Sequence, residues 1–448
     1  MIGACAELAA ALSWDELQPE TRSRLPLVVL DALGSAVAAG QRRASDGLAG
    51  RIAASGGRGD AWLWSSSERV PAAHAALVNA ALTHHFELDD GCPRASVHGG
   101  STIIPAAIAC AETTSASGRD LLVAIAAGYA VAVACGRPLR DGIDAHNLHP
   151  PAMLGAFGAT AAAGRLFGLR APRLGSALNL AATMIPIAPF EAFARGATVK
   201  DLYAGWPAFI GVTAALLAGD GLDGPSGVFG RPHDGLGTFL AHAPIDALPA
   251  PDPDEILGIE FKRYAACRAV HATLTALETL LPVAAANVSA IDVETYPFPI
   301  ALSADADAST PIGAQTSIPY CVASMVLDGG LGPDAFGAAA LADPVRRSLA
   351  LRVTVRLAGD MVEPLVRGAR VTIAMADGTT RRAAADASRW SADRPATDDA
   401  LVEKFRQLAG GRSHPLEAAA LRLAEAPDVH DLVAALRAVV AQRDEVFP

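Results

Sequence analysis

The residues best suited to chemistry lie in five short segments. The first is THHFELDDGCPRASVHGG, Thr83 to Gly100, which combines histidines, three acids and a glycine-rich exit. Its first part continues an apolar helix, so His84 and Glu87 fall one turn apart on the same face, with Asp89 and Asp90 near the helix end. A histidine and a carboxylate at that spacing can face one metal ion. No second pair of that kind appears elsewhere, as helical di-metal sites require, and no metal is expected. Taken alone, the segment reads as a solvated acidic turn.

In the second segment, DGIDAHNLHPPAMLGAFG, His149 precedes two prolines and a helix of small residues. A residue before proline is pushed out of the helical region, so His149 is held extended at a helix entrance, a position that suits a ligand-facing or a structural histidine. In the third, GATVKDLYAGWPAFIG, Thr198 and Asp201 have the spacing of a capping box, which places Lys200 in the first helical turn. The helix dipole disfavours a cation there. Only three of the 36 basic residues are lysines (Lys200, Lys262, Lys404), so this ammonium is either specifically needed, as a point charge or proton carrier, or a surviving surface lysine. In the fourth, Cys267, Val270, Leu274, Leu277 and Leu281 draw one buried helical stripe bordered by His271, which is a core histidine unless other residues join it. In the fifth, Tyr320 opens an apolar helix after Ile318 and Pro319, as a proton donor or as half-buried packing.

The elements that must position these groups are mostly helical. Half of the 448 residues are hydrophobic and only 5% are aromatic, which points to helices packed through small side chains. Apolar stretches of helical length run from the start to about residue 260: 21–40, 71–88, 103–114, 118–136, 150–168 and 200–219. β-branched alternation follows in SAIDVETYP, LRVTVRLA and ARVTIAMADGTTRRAAADA, the last with the hairpin signal ADGT. The reading is a mainly α protein: a large all-helical domain over 1–265, completed by C-terminal helices over 393–448, and a smaller α+β domain over 266–392. The net charge of −11 is spread along the chain with no basic block, so no nucleic-acid partner is expected. The six scattered cysteines lack metal-ligand spacing and read as reduced thiols of a cytoplasmic protein. The N-terminus lacks a basic n-region and is not read as a signal peptide. The run from Leu121 to Cys135 falls short of the ~20 residues of a membrane span and reads as a buried helix, so no membrane partner is expected.

In this order, the segments resemble the MmgE/PrpD family. VNAALTHHFELDD followed by His98 is similar to the family's asparagine helix, H-x-x-D-x-D-D run and later histidine. His149-Pro150-Pro151, Lys200 with AGWPAF, Lys262 to His271, and Ser317 to Tyr320 are similar to its four later patterns. The resemblance covers nearly the whole chain. It implies a cofactor-independent lyase, usually homodimeric, with a site between the two domains for a small di- or tricarboxylate. Carried over, the catalytic group is His98, His149, Lys200, His271 and Tyr320, with Glu87, Asp90 and Lys200 binding substrate. The implied reaction is elimination of water from a hydroxy-polycarboxylate, as in 2-methylcitrate dehydratase, begun by proton abstraction beside a carboxylate. Decarboxylation or epimerisation of a related acid, or ligand binding without catalysis, are the alternatives. Two departures fall beside the implied substrate. Leu88-Asp89-Asp90-Gly91 stands for the usual F-D-D-T and Gly99-Gly100 for the usual P-S, while Glu87 stands where the family usually has aspartate.

Overall fold

The computed structural model describes residues 2–305, 308–361 and 367–442. The protein is mainly α. Seven long helices build the first part of the chain among the described residues: Pro19–Gln41, Ala72–His84, Gly99–Thr114, Gly118–Gly136, Pro150–Leu166, Ala171–Met184 and Leu202–Gly219. Small side chains set their spacing. A Cβ on Gly128 would stand 2.6 Å from Ile103 Cγ2, and one on Gly158 would stand 2.5 Å from Ile103 Cδ1 and 2.8 Å from the Gly128 carbonyl. These glycines therefore let the Gly118–Gly136 and Pro150–Leu166 helices close on Ile103 with no room for a methyl group.

Three helical segments, Pro19–Gln41, Gly118–Gly136 and Thr198–Gly219, are long and apolar enough to cross a membrane by length and composition. Within the fold, 89%, 89% and 61% of their most apolar windows are buried, so interior packing accounts for the first two. The apolar run read from Leu121 to Cys135 is thus the middle of a longer helix of 19 residues.

The later part of the chain carries a four-stranded sheet in the order Val353–Leu357, Val288–Thr295, Ala369–Met375, Thr380–Ala385. Val288–Thr295 pairs parallel with Val353–Leu357 and antiparallel with Ala369–Met375, with Ile291 opposite both Val353 and Ile373. At the ADGT hairpin Gly378 takes a φ of +83° and Thr379 N–H donates to Asp377 Oδ1, as short turns between twisted strands require. Beside the sheet lie the helices His271–Glu278 and Ile318–Asp328. The C-terminal helices Asp398–Ala409 and His430–Val440 return to pack on Pro19–Gln41.

Two local expectations fail. Thr198 and Asp201 form no capping box: residues Thr198–Asp201 make a 3-10 turn whose N-cap, Ala197, offers no side chain, and Asp201 Oδ2 faces His85 Nδ1 at 2.9 Å instead. The Cys267–Leu281 stripe is not one helix. Cys267 is extended, Arg268–Val270 is a 3-10 turn, and the α-helix spans only His271–Glu278.

Candidate active site

The segment from His84 to Asp90 is largely buried, not a solvated turn. The Ala72–His84 helix stops, and Glu87 adopts a φ of +53°, a conformation unfavourable for a side chain with a Cβ. Two ammonium groups hold it there: Glu87 Oε1 lies 2.9 Å from Lys200 Nζ and Oε2 lies 2.8 Å from Lys262 Nζ. Lys200 Nζ also donates to the carbonyls of His84 and His85 at 2.6 and 3.3 Å, closing the C-terminal end of the helix where its dipole favours a cation. Lys262 reaches Asp89 Oδ1 at 3.2 Å. Lys404 donates to Leu88 O and to Asp31 Oδ1, both at 2.7 Å. All three lysines of the chain therefore converge on the short stretch from His84 to Asp89, through its carbonyls or its carboxylates.

Burial would raise the carboxyls of Glu87 and Asp89, but the cations outweigh it. Lys200 and Lys262 hold Glu87, and Lys262 with His84 and His98 holds Asp89, well below the usual carboxylate range. Both stay ionised, so the cluster is a neutralised ion network. His84, Glu87 and Asp89 place ligand atoms within 4.8 Å of one another, as a metal site would. The ammonium groups of Lys200 and Lys262 already supply the positive charge that these carboxylates need.

Asp89 links this network to the histidines. Its Oδ2 faces His84 Nδ1 at 2.9 Å, accepts from Ser101 Oγ at 2.6 Å, and lies 3.2 Å from His98 Nδ1 without good hydrogen-bond alignment. His98 is the N-cap of Gly99–Thr114, and His149 is the N-cap of Pro150–Leu166. His149 is extended, with φ −94° and ψ 101°, as the residue before Pro150 must be. Its ring stacks on Phe190 at 5.5 Å between centroids, with Phe193 and Tyr203 at 5.7 and 5.1 Å. Burial first, then the histidines His84 and His98, push its pKa well below the ordinary value, so this imidazole is neutral at pH 7.

Asp90 serves the fold of the site. Its Oδ1 accepts from Gly100 N–H at 2.7 Å, capping the helix that His98 opens, and its Oδ2 accepts a short hydrogen bond from the Tyr129 hydroxyl. Tyr129 also explains Gly99. A Cβ there would stand 2.2 Å from Tyr129 Cζ, so the tyrosine ring takes up the space that a larger residue would need. At Gly91 a Cβ would meet His98 Cε1 no closer than 3.6 Å, so the missing side chain adds room beside that imidazole.

A cavity of about 600 Å³ opens over these groups, and Glu87, Gly91, His98 and His149 lie on its wall together with Phe190 and Cys267. A second depression of similar volume near Glu7 and Arg165 holds none of the predicted residues. Lys200 and Asp90 stand behind the wall. His271 is fully buried, its Nε2 donating to Ala266 O at 2.9 Å, and burial pushes its pKa well down. Tyr320 is buried with its hydroxyl donating to Ala335 O at 2.6 Å. Neither His271 nor Tyr320 lines the cavity. Sequence reasoning missed His84, Asp89 and Lys262 as parts of the network, and Arg140, Arg268 and Arg367 on the cavity wall. The scarcity of lysine and the family-like pattern from Lys262 to His271 were the signals that could have flagged Lys262.

The chain has direct counterparts among known sequences. Residues 3–246 match the MmgE/PrpD N-terminal domain and residues 264–427 match the MmgE/PrpD C-terminal domain, so the chain belongs to the MmgE/PrpD family. Among individual relatives, it is 28% identical over 374 residues to a cis-aconitate decarboxylase of Homo sapiens, covering 77% of this chain and 74% of that protein. It is 29% identical over 399 residues to the cis-aconitate decarboxylase-like protein oryM of Aspergillus oryzae, covering 80% and 81%. A cis-aconitate decarboxylase of Aspergillus terreus is 27% identical over 221 residues, 46% of this chain and 45% of that protein.

Proposed function

We propose that this protein is a lyase that releases carbon dioxide from a small unsaturated polycarboxylate, cis-aconitate or a close analogue. The observation that carries the reading is the convergence of two histidines, each at the start of a long helix, on one cavity backed by Lys200 and Lys262. Free N–H groups at a helix start favour a carboxylate, and preorganised donors stabilise negative charge that develops in a dry cleft, while the paired Lys200 and Lys262 hold the Glu87 wall in place. Breaking the bond to a carboxylate beside a double bond releases CO2 and leaves its electron pair as an allylic carbanion. That pair spreads towards the remaining carboxylates and takes one proton. His98, whose side chain is 18% exposed and backed by Asp89, carries that proton from solvent. The neutral ring of His149, fixed by its aromatic neighbours, orients the acid, or removes the proton in the dehydration that the sequence placed first. The activities of the relatives move decarboxylation ahead of dehydration.

The test is to incubate the purified protein with cis-aconitate and a panel of di- and tricarboxylates, following CO2 release and alkene absorbance together. CO2 release from an unsaturated acid supports the proposal. New alkene absorbance without CO2 would select dehydration, and solvent deuterium exchange alone would select epimerisation. Tight binding with no turnover across the panel would make the protein a ligand-binding member. We further propose a cytoplasmic homodimer. Six unpaired cysteines suit a reducing compartment, and the exposed apolar side chains of Ile187, Trp206 and Leu216 are available for contact with a second copy.

A further inference from the structure

The cavity wall carries a guanidinium that the proton chemistry above does not use. Arg268 opens the Arg268–Val270 turn, next to Cys267, and both residues line the cavity. Two of its nitrogens are engaged by the protein. Nη2 donates to Phe261 O at 3.2 Å, and Nε lies 3.7 Å from Glu260 Oε2. Glu260 is itself held through Oε1, which accepts from Ala392 N–H at 3.1 Å. Nη1 is buried and has no hydrogen-bond partner among the described residues. A buried guanidinium donor without an acceptor is costly, whereas a carboxylate is the acceptor whose geometry fits this fork best.

Position adds to this. Arg268 comes from the second half of the chain, whereas His98 and His149 come from the first, so a molecule that touches all three bridges the cavity. We infer that Arg268 is a substrate-binding residue whose guanidinium takes one carboxylate while a second carboxylate lies beside the rings of His98 and His149. The cavity thereby selects acids with at least two carboxylates over monocarboxylates. This rests on the function proposed above for the substrate's class, and its test can be read separately from that function.

The probe is tricarballylate, a saturated tricarboxylate that cannot undergo the reaction, compared with glutarate, which lacks its central carboxylate, and with butyrate. Calorimetric titration of the wild-type protein, Arg268→Gln and Arg268→Lys gives the affinities. Arg268→Gln is expected to weaken tricarballylate binding about 10- to 100-fold. Butyrate binding, already weak, is expected to stay unchanged. Arg268→Lys keeps the charge but loses the fork, and is expected to fall between the two even if the glutamine variant folds poorly. With a substrate that turns over, the loss is expected chiefly in KM. Wild-type affinity for tricarballylate in both variants would overturn the inference and leave the lyase reading standing. Binding that depends on Arg268 without turnover of any acid would uphold the inference and remove the lyase reading.

Discussion

Replacing Asp90 by asparagine isolates a single buried proton. Burial raises the Asp90 carboxyl from the ordinary 3.8 to about 7, outweighing the hydrogen bonds from Tyr129 and Gly100. Because the folded value lies above the unfolded one, the folded protein holds a proton between about pH 4 and pH 7 that the unfolded chain has released. The associated stability is fully present below the unfolded pKa and is lost as pH rises through the folded value. At 1.36 kcal/mol per pH unit, the interval from 3.8 to about 7 corresponds to about 4 kcal/mol. The substituted amide would still accept from Gly100 N–H and, being uncharged, would not take part in this titration. Urea unfolding of the wild-type protein and Asp90→Asn at half-unit steps from about pH 4 to pH 8 measures the effect. The stability of the variant relative to wild type is expected to climb by about 4 kcal/mol across that range, mostly between about pH 4 and pH 7. A difference that stays flat within about 1 kcal/mol would refute the assignment of a buried, proton-holding Asp90.

Three further outcomes follow from the same geometry. His149→Ala is expected to lower turnover about 10²- to 10⁴-fold in a CO2-release assay, and if both it and Lys200→Ala stayed within about threefold of wild type, the catalytic reading would fail. Lys262→Met strands Glu87 Oε2 and Asp89 Oδ1 without their shared cation, and thermal or urea unfolding should show a loss of about 3–5 kcal/mol. Gly99→Ala places a methyl group within 2.2 Å of Tyr129 Cζ and is expected to destabilise by about 1–3 kcal/mol. Pairing it with Tyr129→Ala should recover part of that loss, and strict additivity of the two changes would show that the ring is not what excludes the side chain.

The long helices and the strands were legible because their periodicity is local. The six predicted helical stretches and the three β-branched segments all appear, with ends displaced by a few residues. The environment of Glu87 and Asp89 was not legible, since Lys262 is 175 residues from Glu87, and Lys404 reaches Leu88 across 316. Without those cations an acid-rich turn reads as solvated. His149 was recognisable from its prolines, but its aromatic enclosure depends on Phe190 and Phe193 in a five-residue helix too short to leave a periodic signal. The catalytic assignment of His271 and Tyr320 came from the resemblance, whereas their segments alone also allowed the buried, structural places they occupy, bonded to the carbonyls of Ala266 and Ala335. Arg268 looked like one of many arginines because an unmatched Nη1 exists only in three dimensions.

The convergence of Lys200, Lys262 and Lys404 means that the folded protein presents almost no lysine amine to a reagent in solution: two are fully buried and the third is 5% exposed. Succinimidyl esters and lysine-specific proteases should leave all three positions untouched in the native protein and attack them once the His84–Asp90 stretch comes loose. Lysine reactivity is thus a direct clock for the opening of this one region, free of the surface background that obscures such measurements in lysine-rich proteins.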